Sequence, residues 1–329
     1  MRNARIIATG SYVPERVLTN EDLSQMLGED IHPFVSQTLG IYERHICSES
    51  ESTADLATAA AEKALKSAGI EAQELDLIIL ATDTPEYISP ATSVVVQDRL
   101  GAKNAGTFDV NCACAGFVTA LDTGSKYIIA DASYRHVLVI GAYAISKYLD
   151  WRDKKTATIF ADGAGAAVLR STEESPGLLA SKLVADGSYR DHMGIYAGGS
   201  QLPITEEVLR EGKHSKVRFA KKYPPEVNKE GWPVIVREAL NRCDLSLDDV
   251  GLFLFTQVNL STIKEVMRRL ELPMSRTHTI MHKWGYTGSA CIPMALDDAV
   301  QEGKIQPGQV LLLCASGGGL NMAVVVWRW

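Results

Sequence analysis

A cysteine at the point where a strand runs into a helix is the clearest candidate for chemistry in the sequence. Residues 108–120 read FDVNCACAGFVTA, a strand-like run followed by small residues and a helical pattern. Cys114 is therefore expected at a helix N-terminus, where unpaired N–H groups and the helix dipole favour the nucleophilic thiolate. The alternative, a small buried core residue, is the more common fate of a lone cysteine near a helix start.

The other cysteines do not suggest a metal site or a disulfide framework. The six cysteines, at positions 47, 112, 114, 243, 291 and 314, form no CxxC pair. Several lie in apolar runs, which is typical of reduced thiols. We therefore predict no bound metal and no resident cofactor.

Charge and hydropathy exclude two broad classes of protein. The 329 residues include 40 acidic and 33 basic side chains, a formal charge of -7, whereas nucleic-acid binders usually carry a basic excess. No apolar run approaches the ~20 residues that span a bilayer, and MRNARIIATG does not resemble a secretory signal. The expectation is a cytoplasmic protein that binds neither nucleic acid nor membranes.

Apolar runs alternate with helical patterns along the chain, which predicts an α/β fold with a sheet covered on both faces. The predicted strands are Leu75–Thr82, Gly106–Asn111, His136–Ala142, Gly165–Arg170, Gly251–Val258, Thr277–Met281, Val310–Ala315 and Asn321–Trp327. The predicted helices are Thr53–Ala68, Pro90–Leu100, Pro233–Cys243, Leu260–Leu270 and Gly288–Gln301.

The order of these elements suggests two similar halves. ELDLIILATD and LDDVGLFLFTQ each follow a helical run, and RHVLVIGAYA resembles GQVLLLCASGGG. We predict an N-terminal half, residues 1–170, that carries the nucleophile and a C-terminal half, residues 171–329. A charged, proline-rich stretch at 198–233, with a basic run from Lys213 to Lys222, is expected to be a surface excursion that serves as a lid, a docking surface or a plain connection.

Several motifs in order resemble ketoacyl-(acyl-carrier-protein) synthase III of the thiolase superfamily. They are TGSYVPERVLTNEDL, GIYERHI, DVNCACAGF, IFADGAGAAVL, WGYTGSACIPMALDDAV and ASGGGLNMAVV. The resemblance implies a five-layer αβαβα core built from two duplicated halves, and a homodimer. It also implies that Cys114 takes an acyl group from acyl-CoA, with the backbone N–H groups of Cys114 and Gly318 as the oxyanion hole.

The sequence departs from this family at its two other catalytic positions. The family's histidine belongs in V-P-H-Q-A-N, but residues 255–259 read FTQVN, so Thr256 stands in its place while Asn259 is retained as a substrate-binding residue. The asparagine belongs in G-N-T-S, where Tyr286 stands. Hydroxyl groups donate hydrogen bonds but do not replace the proton transfer of an imidazole near neutral pH. Ordinary malonyl condensation is therefore in question.

Two histidines are candidates for a replacement base. His282 lies four residues before Tyr286, and His192 follows the ADGSY motif. Either histidine could deprotonate an oxygen, nitrogen or sulfur acceptor, which would favour acyl transfer over carbon–carbon bond formation. Each is also consistent with a loop residue that has no catalytic role.

The resemblance extends to the acyl-CoA channel. Phe34 and Lys154 correspond to an aromatic residue and an arginine that hold the adenine, and Ser89 to a position where a phenylalanine often limits acyl length across the dimer. The family's carrier-docking arginine is replaced by Ser261, although Lys264, Arg268 and Arg269 or the 213–222 run could attract an acidic acyl carrier protein.

Two functions from different classes follow. The first is an acyltransferase of fatty acid or polyketide metabolism, acting by malonyl-type condensation or by transfer to an oxygen, nitrogen or sulfur nucleophile. The alternative is a non-catalytic subunit that pairs with an active homologue. Loss of two catalytic residues favours the subunit, whereas retention of Cys114 and of the glycines at 317–319 favours the enzyme.

Overall fold

Thirteen strands and eleven helices follow one another along the residues that the computed structural model describes, 2–174, 177–212 and 216–329. The strands are β1 (Asn3–Tyr12), β2 (Val17–Thr19), β3 (Glu43–His45), β4 (Leu77–Ala81), β5 (Gly106–Val110), β6 (His136–Tyr143), β7 (Gly163–Thr172), β8 (Leu178–Ala185), β9 (Met193–Ile195), β10 (Val217–Phe219), β11 (Val250–Phe255), β12 (Val310–Gly317) and β13 (Asn321–Arg328). The α-helices are α1 (Asn20–Leu27), α2 (His32–Phe34), α3 (Thr53–Ala68), α4 (Thr92–Leu100), α5 (Gly116–Ala130), α6 (Lys154–Ala157), α7 (Glu206–Arg210), α8 (Glu226–Asn241), α9 (Leu260–Arg269), α10 (Met281–Trp284) and α11 (Cys291–Gln301).

Two mixed sheets form the framework. The first has the order β1-β7-β6-β4-β5 and the second β11-β12-β13-β8. β4 pairs in parallel with β5 and β6, and β11 pairs in parallel with β12, while β1, β7, β8 and β13 pair antiparallel to their neighbours. Of the strands that pair in parallel, β4, β11 and β12 are buried along most of their length, whereas β5, at the edge of the first sheet, is only partly buried.

Successive side chains of each strand point to opposite faces of its sheet. Helices cover both faces of each sheet, and the two sheets and three helix layers together make five layers. Leu77 and Ile79 of β4 pack with α5, α11 and the inner face of the second sheet, whereas Ile78 and Leu80 pack with α3. The outer face of the second sheet is covered by α8 and α9. Helix layers and sheets alternate as α3/α4, first sheet, α5/α11, second sheet, α8/α9, and the predicted αβαβα fold is confirmed.

The central helices are tied to the first sheet by buried polar contacts as well as by packing. Asp297 of α11, 6% exposed, accepts hydrogen bonds from the hydroxyls of Thr9 (2.7 Å) and Ser11 (2.6 Å) of β1. A buried carboxylate needs such donors because burying an unpaired charge is costly. These bonds fix α11 and the loop before it against the first sheet, whose strand β5 is followed by Cys114.

The strand predicted at Thr277–Met281 is wrong. Residues Met274–Arg276 form a 3-10 turn, Met281 starts α10, and only an isolated bridge joins Thr277 to Phe253. The Thr277 hydroxyl donates to the Phe253 carbonyl at 2.8 Å, and the Arg276 guanidinium lies over the Phe253 ring. Side-chain contacts thus hold this segment beside edge strand β11, in place of a backbone ladder.

The helix predicted to begin at Pro233 starts seven residues earlier, at Glu226, and contains that proline. Proline removes a helical hydrogen bond and usually ends a helix. Here Trp232, Ile235, Val236 and Ala239 are buried on one face of α8, and this burial offsets the lost bond.

The prediction also omitted β1 and β8, the antiparallel outer strands of the two sheets. No described helix is long and apolar enough to cross a membrane.

Candidate active site

Cys114 lies where the sequence places it, between the end of β5 and the start of α5. It is 3% exposed and lines a cavity of about 290 Å³. The walls of the cavity come from both sheets and from the 198–233 excursion: Leu39, Ile159, Phe160, Met193, Phe219, Tyr223, Pro224, Pro225, Val227, Asn228, Thr256, Val258, Asn259, Thr262, Tyr286, Ser316, Gly317, Gly318 and Leu320. The excursion is therefore one wall of the cavity as well as a surface segment; residues 213–215, which begin its basic run, lie outside the described residues.

Burial opposes the effect of the helix N-terminus on the ionisation of Cys114. The pKa of the Cys114 thiol is raised well above its usual value, first by burial and then by the charge of Asp83. The nearby Tyr286 hydroxyl lowers the pKa of the thiol, because a phenol that donates toward sulfur stabilises the thiolate. In the free protein Cys114 is therefore a neutral thiol at neutral pH.

Tyr286 is held rigidly over the cysteine. Its backbone N–H donates to Ile159 (3.1 Å), its carbonyl accepts from Ala161 (2.8 Å), and its ring packs against Phe160 at 5.6 Å between centroids. Burial and the neighbouring Cys114 raise the pKa of the phenol well above its usual value. The phenol thus stays protonated and can act as a donor toward the sulfur.

Thr256 is the second hydroxyl that the structure brings into this cavity. It is 1% exposed, and its Oγ1 accepts the backbone N–H of Ser316 at 2.9 Å. Its own backbone N–H donates to Cys314 at 3.2 Å, which fixes the residue beyond the end of β11. Since Oγ1 accepts from Ser316, the hydroxyl proton is directed elsewhere and can donate to a molecule in the cavity.

The glycines at the end of β12, Gly317 and Gly318, bring the backbone next to Cys114. A Cβ on Gly317 would lie 2.3 Å from the Cys112 carbonyl oxygen and 2.8 Å from the Cys114 nitrogen. Glycine is required here because any side chain would separate the two segments. Gly318 follows in the cavity wall, so its backbone and that of Cys114 face the same space.

The two histidines proposed as bases do not line the described cavity. His282 lies on α10 with an exposed side chain, and its pKa is lowered by partial desolvation and by Lys283. His192 lies behind the wall, where its Nδ1 is 3.3 Å from Asp191 and its ring is 5.1 Å from that of Tyr223. Tyr223, which sequence reasoning missed, stands between His192 and the cavity.

The remaining predicted binding residues do not lie together in one site. Asn259 lines the cavity, but its Oδ1 caps α9 by accepting from the backbone of Ser261 (2.9 Å). Phe34 is 61% exposed at the surface, and Lys154 pairs with Glu29 at 2.8 Å. Ser89 lies in an exposed loop and is not among the cavity residues. Their roles stay predictions.

Asp83 is a second residue that the sequence did not reveal. Its Oδ1 is buried without a hydrogen-bond partner among the described residues, and burial raises its pKa to about 6. The neighbours hold it in position, since Thr82 donates its N–H to Val110 (3.1 Å) and the Thr84 hydroxyl accepts from Ala144 (3.0 Å). In the sequence, Asp83 is a short polar residue after an apolar strand, and this pattern does not indicate a buried carboxylate with a raised pKa.

One group of side chains has the composition of a metal site. His278, Asp298 and Glu302 offer ligand atoms within 4.8 Å of one another. Lys283 already contacts Asp298 at 2.6 Å, and Lys304 contacts Glu302 at 2.7 Å. The lysines neutralise these carboxylates, so ion pairing accounts for the group, which is buried at His278 and exposed at Glu302.

Comparison with known proteins identifies the family to which this arrangement belongs. Residues 108–187 match the family 3-Oxoacyl-[acyl-carrier-protein (ACP)] synthase III, and residues 240–329 match its C-terminal counterpart. The beta-ketoacyl-[acyl-carrier-protein] synthase III of Syntrophomonas wolfei is 38% identical over 328 residues, 99% of this chain and 97% of that protein. The chain belongs to the 3-oxoacyl-[acyl-carrier-protein] synthase III family.

Solved structures agree with this assignment. The synthase III of Aquifex aeolicus VF5 superimposes with a TM-score of 0.89 at 34% identity, covering 99% of this chain and 100% of that one. The priming beta-ketosynthase of the R1128 polyketide pathway gives 0.88 at 28% identity, covering 99% and 96%. Membership in the synthase III family makes the chain an acyl-transferring, condensing enzyme with a thiolase-like fold.

Proposed function

We propose that Cys114 takes an acyl group from acyl-CoA and that the acyl-enzyme condenses with a malonyl-type thioester carried by CoA or by an acyl carrier protein. The observation that carries this proposal is that Cys114, Tyr286, Thr256 and Gly318 line one cavity. In this proposal Cys114 and Gly318 supply the backbone N–H groups that stabilise the thioester oxyanion.

Thr256 and Tyr286 are proposed to take the places of the family's histidine and asparagine. Decarboxylation of a malonyl thioester generates its own carbon nucleophile, so the step needs hydrogen-bond donors to the enolate and no base. Both residues supply hydroxyl donors. Transfer to an oxygen, nitrogen or sulfur acceptor would need a base, and no histidine is among the described cavity residues.

The assembly is proposed to be a homodimer. Tyr87 and Ile88, in the loop before Ser89, are 54% and 84% exposed, and large apolar side chains on a short loop are typical of contact surfaces. A second copy of the chain would cover them. Light scattering that returned the mass of one chain would contradict this assembly.

The test of the reaction is the stoichiometry of carbon dioxide. The enzyme is incubated with an acyl-CoA and malonyl-CoA, with Cys114→Ala as the control. We expect one carbon dioxide for each 3-oxoacyl thioester formed by the wild-type enzyme, and no 3-oxoacyl thioester from the variant, which lacks the acyl acceptor. Consumption of acyl-CoA with an added amine, alcohol or thiol, without carbon dioxide, would instead support acyl transfer to that acceptor.

A further inference from the structure

Two oxygen atoms in the wall of the Cys114 cavity are buried without hydrogen-bond partners among the described residues. They are the hydroxyl of Tyr223 and Oδ1 of Asn228, both cavity residues contributed by the 198–233 excursion. The Tyr223 hydroxyl lies near the backbone N–H of Gly319 but forms no hydrogen bond of ordinary geometry with any described residue. Unpaired buried polar atoms are costly, and a ligand that pairs with them removes the cost.

The Tyr223 ring is fixed from behind. It stacks on Tyr189 with 5.6 Å between centroids and an interplanar angle of 15°, and it contacts His192 at 5.1 Å. Its hydroxyl oxygen is 3.8 Å from the position that a Cβ on Gly318 would occupy. The hydroxyl is thus positioned beside the proposed oxyanion hole without filling it.

The hydroxyl can act as a donor at neutral pH. Burial raises the pKa of Tyr223 above its usual value, so the phenol keeps its proton. Asn228 lies in the first turn of α8, and its Oδ1 can only accept. One residue that can donate and one atom that can accept thus belong to the same cavity wall, a pattern that suits a molecule with a carbonyl oxygen and an N–H group.

We propose that Tyr223 is a further catalytic residue, which donates a hydrogen bond to the carbonyl oxygen of the second thioester, and that Asn228 accepts an N–H of its pantetheine-type arm. This inference rests on the proposed function. As the bond to the carboxylate breaks, its electron pair forms the enolate, carbon dioxide leaves, and the enolate oxygen accepts the Tyr223 hydrogen bond without taking the proton. The enolate carbon then attacks the acyl carbonyl, and the Cys114 sulfur leaves as a thiolate.

The test separates the two half-reactions. Acyl-Cys114 is first formed with an acyl-CoA and measured by intact mass, and its discharge by malonyl-CoA is then timed. Tyr223→Phe keeps the ring stack and removes only the donor, so we expect normal acylation and a discharge about 10²-fold slower. Asn228→Leu is expected to raise the KM for malonyl-CoA about tenfold with little change in kcat, as for loss of a ground-state contact.

Tyr189→Phe is the matched control, because it removes a hydroxyl from the neighbouring stacked ring outside the cavity; both half-reactions should be unchanged. Discharge of Tyr223→Phe at the wild-type rate would overturn the inference, and so would an equal loss of acylation and discharge. A wild-type enzyme that takes no acyl group, or whose acyl group malonyl-CoA does not remove, would refute the proposed function itself.

Discussion

At the scale of single residues, the site is set by opposing effects on one thiol. Burial and the nearby Asp83 disfavour the Cys114 thiolate, and the Tyr286 hydroxyl stabilises it. The sequence showed the position of Cys114 but not this balance. Asp83 and Tyr286 are 31 residues before and 172 residues after the cysteine, so only the fold reveals their contact.

Two substitutions are expected to change the reactivity of Cys114 in opposite directions. Tyr286→Phe removes the hydroxyl that stabilises the thiolate and should slow iodoacetamide labelling at pH 8 several-fold, because the thiol pKa rises. Asp83→Asn removes a negative charge and should speed labelling by a similar factor. Mass-resolved labelling, with Cys114→Ala as the blank, measures both, and a shift of the same sign in the two variants would contradict the account.

The Asp83 effect should also depend on pH. The carboxyl has a folded-state pKa of about 6, above its usual value of 3.8, so it is neutral well below pH 6 and charged well above it. Labelling of wild type and Asp83→Asn should therefore converge as the pH falls below about 6. A raised carboxyl pKa also means that folding stability is lost as the pH rises through about 6, and Asp83→Asn should remove that loss.

At the scale of elements, the strand-to-helix turn after β5 and the glycines after β12 meet at the cysteine. The helical pattern and the small residues predicted the turn. The sequence left open whether the excursion at 198–233 is a lid, a docking surface or a plain connection, because its charges and prolines are typical of a solvated connection as well. It did not place His192 behind Tyr223, since contacts between rings 31 residues apart leave no periodic signal.

Gly317→Ala tests the contact between these two elements. The added Cβ would lie 2.3 Å from the Cys112 carbonyl, so the end of β12 must move away from the nucleophile. We expect condensing activity to fall by at least about 10²-fold, with a loss of about 1–3 kcal/mol in the free energy of unfolding. Gly187→Ala, where a Cβ meets nothing within 4 Å, is the control. Full activity in Gly317→Ala would show that the close approach is not required.

At the scale of the whole molecule, the alternation of apolar runs and helical patterns correctly predicted the layered α/β fold. Runs such as LIILA and VLLLCASG are buried on both faces, and this needs helices on either side of each sheet. The segments at the edges of the sheets were harder to predict. Residues 277–281 are held beside β11 by side-chain contacts and form no strand, and β1 and β8 are outer strands that each pair antiparallel with one neighbour. The predicted boundary between the halves at 170/171 stays a prediction.

The central claim is that this molecule forms an acyl-enzyme on Cys114. The most direct measurement is the intact mass of the protein after incubation with a panel of acyl-CoAs, beside Cys114→Ala. The account predicts a mass increase of one acyl group, absent in the variant, with the preferred chain reporting whether Ser89 leaves a wider acyl site. No adduct from any CoA donor would contradict CoA-dependent catalysis and would favour a subunit that only pairs with an active homologue.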